Sequence, residues 1–328
     1  MRGCVALTAG WVGLTAVVAD PVLARPAQVP AGGRYLESVF DEVEITRDVP
    51  YRETVDWRGN PDTLLLDIYE PAGDTIAKRP VILIMSGGFY AFIDKTLLFG
   101  AGETYARMGY VVVSIEYRVR PGAGLEQFPN VDPDVLQGAI LDAYDDAFAA
   151  AGWIRDHAAD LRIDPEAIVP VGGSAGGNIA WNLAWLQGDD LRPEPSGIRA
   201  AISTAGAPGP GTADIGDPPV LALHGTRDLI IDVSLAAEPC TAADEAGIRC
   251  DLVTYEDAGH PLDPRTQDLL RLHGADITAR SAGFIAEVVL QPLGYFGEPS
   301  PPGQPGPGEP VNVPPPATPV LAQPTFTG

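Results

Sequence analysis

Apolar residues along this chain fall into short continuous runs, separated by longer stretches of helical periodicity. Val81-Ile82-Leu83-Ile84-Met85 and Tyr110-Val111-Val112-Val113-Ser114-Ile115 predict strands buried on both faces. Shorter runs of the same kind occupy Ala167–Val171, Ala200–Thr204, Val220–Leu223 and Asp251–Tyr255. Between them, Leu97–Met108, Val135–His157, Val233–Ala246 and Thr266–Leu290 read as helices, with Asp134 as an N-cap and Gly109 and Gly247 as stops. Near the start, Val39–Ile45 and Thr63–Tyr69 alternate apolar with polar, as antiparallel strands do, and Arg58-Gly59-Asn60-Pro61-Asp62 supplies the turn. Strands alternating with helices predict an α/β fold, with a mostly parallel central sheet and helices on both faces. Pro170 is discordant, because a proline in a central strand removes a ladder donor.

Both ends depart from this pattern. Residues 1–24 read as a secretory signal: Arg2 is the positive start, Val5–Ala19 is apolar, and Val17-Val18-Ala19 and Val22-Leu23-Ala24 resemble cleavage sites. An uncleaved anchor is the alternative, but the apolar run is short for a span. Residues 25–38 read as a Pro/Gly-rich linker, 39–296 as the catalytic domain, and 297–328 as a proline-rich tail that is disordered or polyproline-like. A net charge of −23 argues against nucleic acid and anionic membrane surfaces as partners. Cys4 leaves with the signal. Cys240 and Cys250 then form an even pair in an exported chain, which suggests one disulfide; two buried free thiols are the alternative.

The candidate chemistry centres on Gly172-Gly173-Ser174-Ala175-Gly176. It is a GxSxG sequence between a predicted strand and a predicted helix, the context of a nucleophile elbow. A serine hydroxyl needs a base within hydrogen-bond reach, and that base needs an orienting carboxylate. Of the four histidines, His157 and His273 lie in predicted helices. His224 and His260 follow strands on the elbow side. The chain order Ser, Asp, His selects Ser174, Asp228 and His260 as the catalytic set, with Asp232 as a competing acid. Ser86-Gly87-Gly88-Phe89 follows the Val81–Met85 strand, where glycine lets backbone N–H groups approach a substrate oxygen.

Together these segments resemble α/β-hydrolase carboxylesterases of the hormone-sensitive-lipase-like and feruloyl-esterase-like groups. Ser86 to Phe89 is similar to their His-Gly-Gly-Gly oxyanion motif, with Ser86 and Phe89 as departures. Tyr117-Arg118-Val119, with Phe128-Pro129 after it, resembles their tyrosine–arginine loop. Gly172 to Asn178 resembles the elbow and its helix, with Gly173 where the lipase-like group has an aspartate. His224 to Asp228 and Gly259-His260 resemble the acid and base loops. The resemblance implies an oxyanion hole built from the N–H groups of Gly88, Phe89 and Ala175. It implies an α/β-hydrolase fold and no metal or cofactor. The lid is expected to be minimal, because Gly206–Pro219, between the strands near Ile202 and Val220, is short, dominated by Gly, Pro and Asp, and has no apolar helical face.

The leading expectation is a secreted serine esterase, extracellular or periplasmic. It would act through an acyl-enzyme on short-chain acyl esters or on feruloyl or acetyl esters linked to polysaccharide. Its partner would be that small or polymer-linked ester, with no nucleic acid and no stable membrane insertion after signal cleavage. A prolyl-oligopeptidase-like peptidase is the alternative, although the stretch before Val81 is too short for that group's propeller. A non-catalytic binding protein is a third reading. Trp153, Trp181 and Trp185 lie at helical positions and are expected in the core rather than on a sugar platform.

Overall fold

A computed structural model describes residues 32–96, 100–123, 130–186, 197–209, 213–261, 263, 265 and 268–296. The signal, Cys4, residues 25–31 of the linker, Phe128-Pro129 and the tail lie outside the described residues. Strands β1 (Val43–Val55), β2 (Pro61–Pro71), β3 (Arg79–Met85), β4 (Val111–Ile115), β5 (Ile163–Gly173), β6 (Ala201–Thr204), β7 (Val220–Gly225) and β8 (Cys250–Tyr255) form one sheet. Their order is β1-β2-β4-β3-β5-β6-β7-β8. β2 runs antiparallel to β1 and β4, and all other neighbours are parallel. The helices are α1 (Ala101–Met108), α2 (Pro133–Asp156), α3 (Ala175–Trp185), α4 (Ser234–Glu245) and α5 (Leu269–Ile285), which continues into a π-helical turn, Ala286–Leu290.

The continuous apolar runs feed two cores at once. On β3, Ile82 and Ile84 face α1 and α5, whereas Val81, Leu83 and Met85 face α2 and α3. Further along the sheet, Ile202, Leu221 and Leu223 join the first core. Ala201, Val220 and Ala222 meet Trp181, Ala236 and Cys240 from α3 and α4 on the other face. All of these side chains are buried, and for the valines, leucines, isoleucines and Met85 among them burial is worth roughly 1.5–3 kcal/mol apiece. Trp181 is fully buried, Trp185 nearly so, and Trp153 stacks on His157, so none of the three forms an exposed platform.

Several boundaries differ from the sequence pattern, each for a local reason. The first strand starts at Val43 and runs to Val55 with two register shifts, at Thr46/Val49 and Pro50/Arg52. It is an edge strand, so its open side tolerates Pro50 and a run of charges that breaks the alternation. The turn comes earlier than expected, because the Asp56 carboxylate accepts from the N–H groups of Arg58 and Asn60, both at 2.8 Å. Helix α2 is capped by Asp132, not Asp134, and its carboxylate accepts from the Asp134 N–H at 2.9 Å. Pro133 suits the first helical position, where its missing N–H costs nothing. His157 is the C-cap residue rather than a helical one. Part of the expected linker belongs to the domain. Tyr35 is buried, its carbonyl accepts from the Tyr110 hydroxyl at 3.0 Å, and Arg34 pairs with Asp74.

Pro170 fits its strand after all. Ile168 turns its N–H and C=O towards Gly197 and Arg199, on the β6 side. By the two-residue period Pro170 faces the same way, and there the β5–β6 ladder begins only at Val171. No helix among the described residues is long and apolar enough to cross a membrane.

Cys240 on α4 and Cys250 at the start of β8 are joined by a disulfide across a sequence separation of 10. It pins α4 to the start of the edge strand β8. Replacing both cysteines by alanine is expected to cost about 2–3 kcal/mol in the chain-entropy account. Thermal unfolding should then fall by roughly 5–10 °C, and an unchanged midpoint would show that the bridge contributes nothing.

Candidate active site

The candidate nucleophile sits on a strained turn. Ser174 has φ 55° and ψ −123°, a conformation that residues other than glycine rarely adopt. Two backbone bonds hold it there: its N–H donates to the Thr204 carbonyl at 2.9 Å, and its carbonyl accepts from Asn178 at 3.0 Å. The flanking glycines make the turn possible through close approach. A Cβ on Gly172 would collide with the Gly176 carbonyl of α3, and one on Gly176 with the carbonyls of Met85 and Ser86 at the end of β3.

The acid and base arrive from the next two strand ends. After β7 the chain turns through Asp228, and after β8 it turns through His260. The two loops touch at Gly225, where any side chain would strike the carbonyls of Ala258 and Gly259. His260 Nδ1 lies 2.7 Å from Asp228 Oδ2, and His260 Nε2 lies 2.8 Å from Ser174 Oγ. An ionised carboxylate only accepts, so Nδ1 carries the proton and Nε2 is left to accept from the serine hydroxyl. Asp228 Oδ1 accepts from the N–H groups of Ile230 and Ile231, at 2.8 and 2.9 Å. Burial alone would push the Asp228 carboxyl up. Hydrogen bonds from His224, His260 and the Ile231 N–H outweigh it and hold the group far below the usual carboxylate range.

The structure thus brings Ser174, Asp228 and His260 together and leaves the competitors elsewhere. The Asp232 carboxylate turns to Ser234, accepting from its N–H at 2.9 Å and its hydroxyl at 2.6 Å. His273 pairs with Asp257 at 2.8 Å, and the His157 ring bonds to the Trp153 carbonyl. His224 behaves in a way the sequence did not reveal. It is fully buried, and it lies on the acid rather than the serine. Its Nε2 is 2.9 Å from the Ile231 carbonyl and 3.3 Å from Asp228 Oδ2. The signal was present in the His224-Gly225 pair, but a strand-end histidine looks the same whether it serves serine or carboxylate.

The glycine loop after β3 lies against the elbow. Gly88, Phe89 and Tyr90 have consecutive positive φ values of 139°, 55° and 58°. A Cβ on Gly87 would stand 2.9 Å from the Gly173 carbonyl and 3.1 Å from Ser174 Cβ. Ala175 opens α3, so its N–H is at a helix N-terminus. Two buried tyrosines brace the loop. The Tyr117 hydroxyl donates to the Ser86 carbonyl at 2.7 Å, and the Tyr90 hydroxyl donates to the Ala175 carbonyl at 3.3 Å. Burial pushes both phenols up, so they stay neutral donors. A cavity of about 800 Å³ lies between α1 and α5 and meets the elbow only through Gly172 and Gly173; the triad does not line it. No cluster of three or more metal-ligating side chains occurs among the described residues.

Residues 66–196 match the BD-FAE family model, a feruloyl-esterase-like domain. Among solved structures, the chain is similar to Thermogutta terrifontis esterase 2 phosphorylated by paraoxon. That likeness has 26% identity and a TM-score of 0.56, covering 79% of this chain and 97% of that one. The propionate-bound form of the esterase gives 25% identity over 77% and 97%, also with a TM-score of 0.56. Among curated proteins, the non-reducing polyketide synthase mapC' of Penicillium brevicompactum is 32% identical over 45% of this chain and 7% of its own length. The synthase Preu6 of Preussia isomera is 25% identical over 73% of this chain and 10% of its own. The chain thus spans a tenth or less of the length of these two curated relatives. The family match covers the elbow and the glycine loop, and the esterase likeness extends over almost the whole of that enzyme. With the sheet order and the Ser, Asp, His sequence of strand-end residues, they give this chain an α/β-hydrolase fold similar to that of carboxylesterases.

Proposed function

We propose that the chain is a serine esterase with Ser174, His260 and Asp228 as its triad. The observation that carries the reading is the unbroken hydrogen-bond line from Ser174 Oγ through His260 to Asp228, at 2.8 and 2.7 Å. Ser174 Oγ attacks the acyl carbon while His260 Nε2 takes the hydroxyl proton. The N–H groups of Gly88, Phe89 and Ala175 receive the oxyanion. Collapse expels the alcohol, which takes the proton back from His260, and leaves an acyl-enzyme on Ser174. Water deprotonated by His260 then attacks the acyl carbon and frees the acid. Asp228 stays ionised throughout and stabilises the transient imidazolium.

The substrate in this reading is an ester with a short acyl group, carried on a small alcohol or on a polysaccharide. Two observations support it. The described part of the β6–β7 connection contains no helix that could cover a lipid chain. The similar Thermogutta esterase is recorded with propionate bound. We place the protein outside the cytoplasm, extracellular or periplasmic, because residues 1–24 have the composition of a secretory signal and a disulfide suits an oxidising compartment.

Replacing Ser174 by alanine should lower p-nitrophenyl ester turnover about 10³-fold or more without altering the circular dichroism spectrum. Near-normal turnover would end the serine mechanism. A peptide anilide assayed beside the ester separates esterase from peptidase. Asp228→Asn should slow turnover by roughly 10³–10⁴-fold, because an amide favours the wrong imidazole tautomer, whereas Asp232→Asn should leave it within about twofold. A larger loss at Asp232 would reassign the acid. In a series of p-nitrophenyl esters, activity should decline beyond about C6 with no rise at the solubility limit. A maximum at long chains would overturn the short-acyl reading.

A further inference from the structure

The triad accounts for one histidine on Asp228, and the structure holds two. We propose that His224 is a positioning residue, which sets the carboxylate of Asp228 against His260. The inference rests on the triad reading, and it adds a fourth side chain to it.

The geometry of the acid loop carries the argument. Asp228 has three hydrogen-bond donors on its two oxygens and a fourth N–H close by. Oδ1 takes the N–H groups of Ile230 and Ile231, Oδ2 takes His260 Nδ1 at 2.7 Å, and His224 Nε2 lies 3.3 Å from Oδ2. The Ile231 carbonyl is an acceptor only, so His224 Nε2 must carry the proton it gives to that carbonyl at 2.9 Å. The same N–H leans towards Oδ2. His224 therefore holds the loop and the carboxylate with one atom. The loop in turn holds the carboxylate through the Ile231 N–H, so strand, loop and acid form a closed ring. Take His224 away, and the Ile231 carbonyl loses its donor while Asp228 Oδ2 keeps only His260.

A packing role alone does not account for the residue. His224 is completely buried on β7, and its Nδ1 has no hydrogen-bond partner. An apolar side chain would avoid stranding that nitrogen. What the imidazole supplies is a donor at the Nε2 position, rigidly fixed at the end of a strand. The adjacent Gly225 lets the His260 loop pack directly on this strand end. His224 and Gly225 thus set the acid and the base relative to one another from a single point of the sheet.

The test uses the full chain and three variants, assayed for kcat, KM and thermal midpoint on p-nitrophenyl acetate. Glutamine can place an amide N–H where imidazole Nε2 sits; asparagine falls short of it, and leucine supplies none. His224→Gln should keep kcat within about threefold of the parent, while His224→Asn and His224→Leu should lose about tenfold to a hundredfold in kcat with KM within about twofold. Should the leucine variant fail to fold, the glutamine and asparagine pair decides the matter. An asparagine variant with parental kcat, or a glutamine variant as slow as asparagine, overturns the proposal. Failure of the triad reading would show separately, as undiminished activity in Ser174→Ala.

Discussion

The site depends on the close approach of three backbones beneath Ser174. The end of β5, the start of α3 and the end of β3 meet where Gly172 and Gly176 leave no room for a Cβ. That contact forces the sharp turn, and the turn forces the serine to a positive φ. Strain of this kind costs about 1–3 kcal/mol and persists only where the surroundings over-determine it. Here the surroundings are the sheet itself. The Ser174 N–H is tied to Thr204 at the end of β6, and the first turn of α3 accepts its geometry. The sheet that buries the apolar runs is therefore also the jig that holds the hydroxyl outward, and the same strand ends deliver Asp228 and His260.

Electrostatics then decide which groups can serve. Asp228 is buried, and burial by itself pushes its carboxyl up. It remains ionised because donors surround it, three of them on its own loop and on the histidine it orients. Asp232, four residues on, has an exposed carboxylate spent on Ser234. The two acids have the same chemistry, and the fold distinguishes them by which one it closes off from water and surrounds with donors.

The main features of the fold were legible in the sequence because its signals are local. Continuous apolar runs mark strands buried on both faces, and Gly172 to Gly176 marks the elbow, so the α/β class and the position of Ser174 follow from neighbouring residues alone. What escaped depends on contacts far apart in the chain. Tyr35 reads as linker because nothing near it shows that Tyr110 awaits its carbonyl. Pro170 reads as a defect until the β5–β6 ladder is seen to begin one residue later. His224 reads as an unused candidate because its partner, the Ile231 carbonyl, is set by how the acid loop folds back. The helix cap was misplaced by two residues because Asp132 and Asp134 are equally good caps, and only the fit of Pro133 at the first turn separates them.

The departures of the glycine loop from its family pattern become intelligible through what braces it. In the oxyanion role proposed for this loop the donor is a backbone N–H, so Ser86 and Phe89 can stand where the motif has histidine and glycine if the backbone path is held by other means. The path is held from the next strand. Tyr117 takes the Ser86 carbonyl, and the Arg120 N–H takes that of Tyr90 at 2.8 Å. Between those two residues Arg118 grips Asp146 on α2, which also receives Arg52 from β1. Burial pushes the Asp146 carboxyl up in spite of both arginines, so the ion pair is a costly one to keep. A hydrophobic contact there would hold α2 as firmly, but it would not fix a direction. The guanidinium of Arg118 bonds both oxygens of Asp146 while its own backbone N–H bonds one of them at 2.8 Å. That locks the main chain, not only the side chain, and the locked main chain is what Tyr117 and Arg120 pass on to the glycine loop.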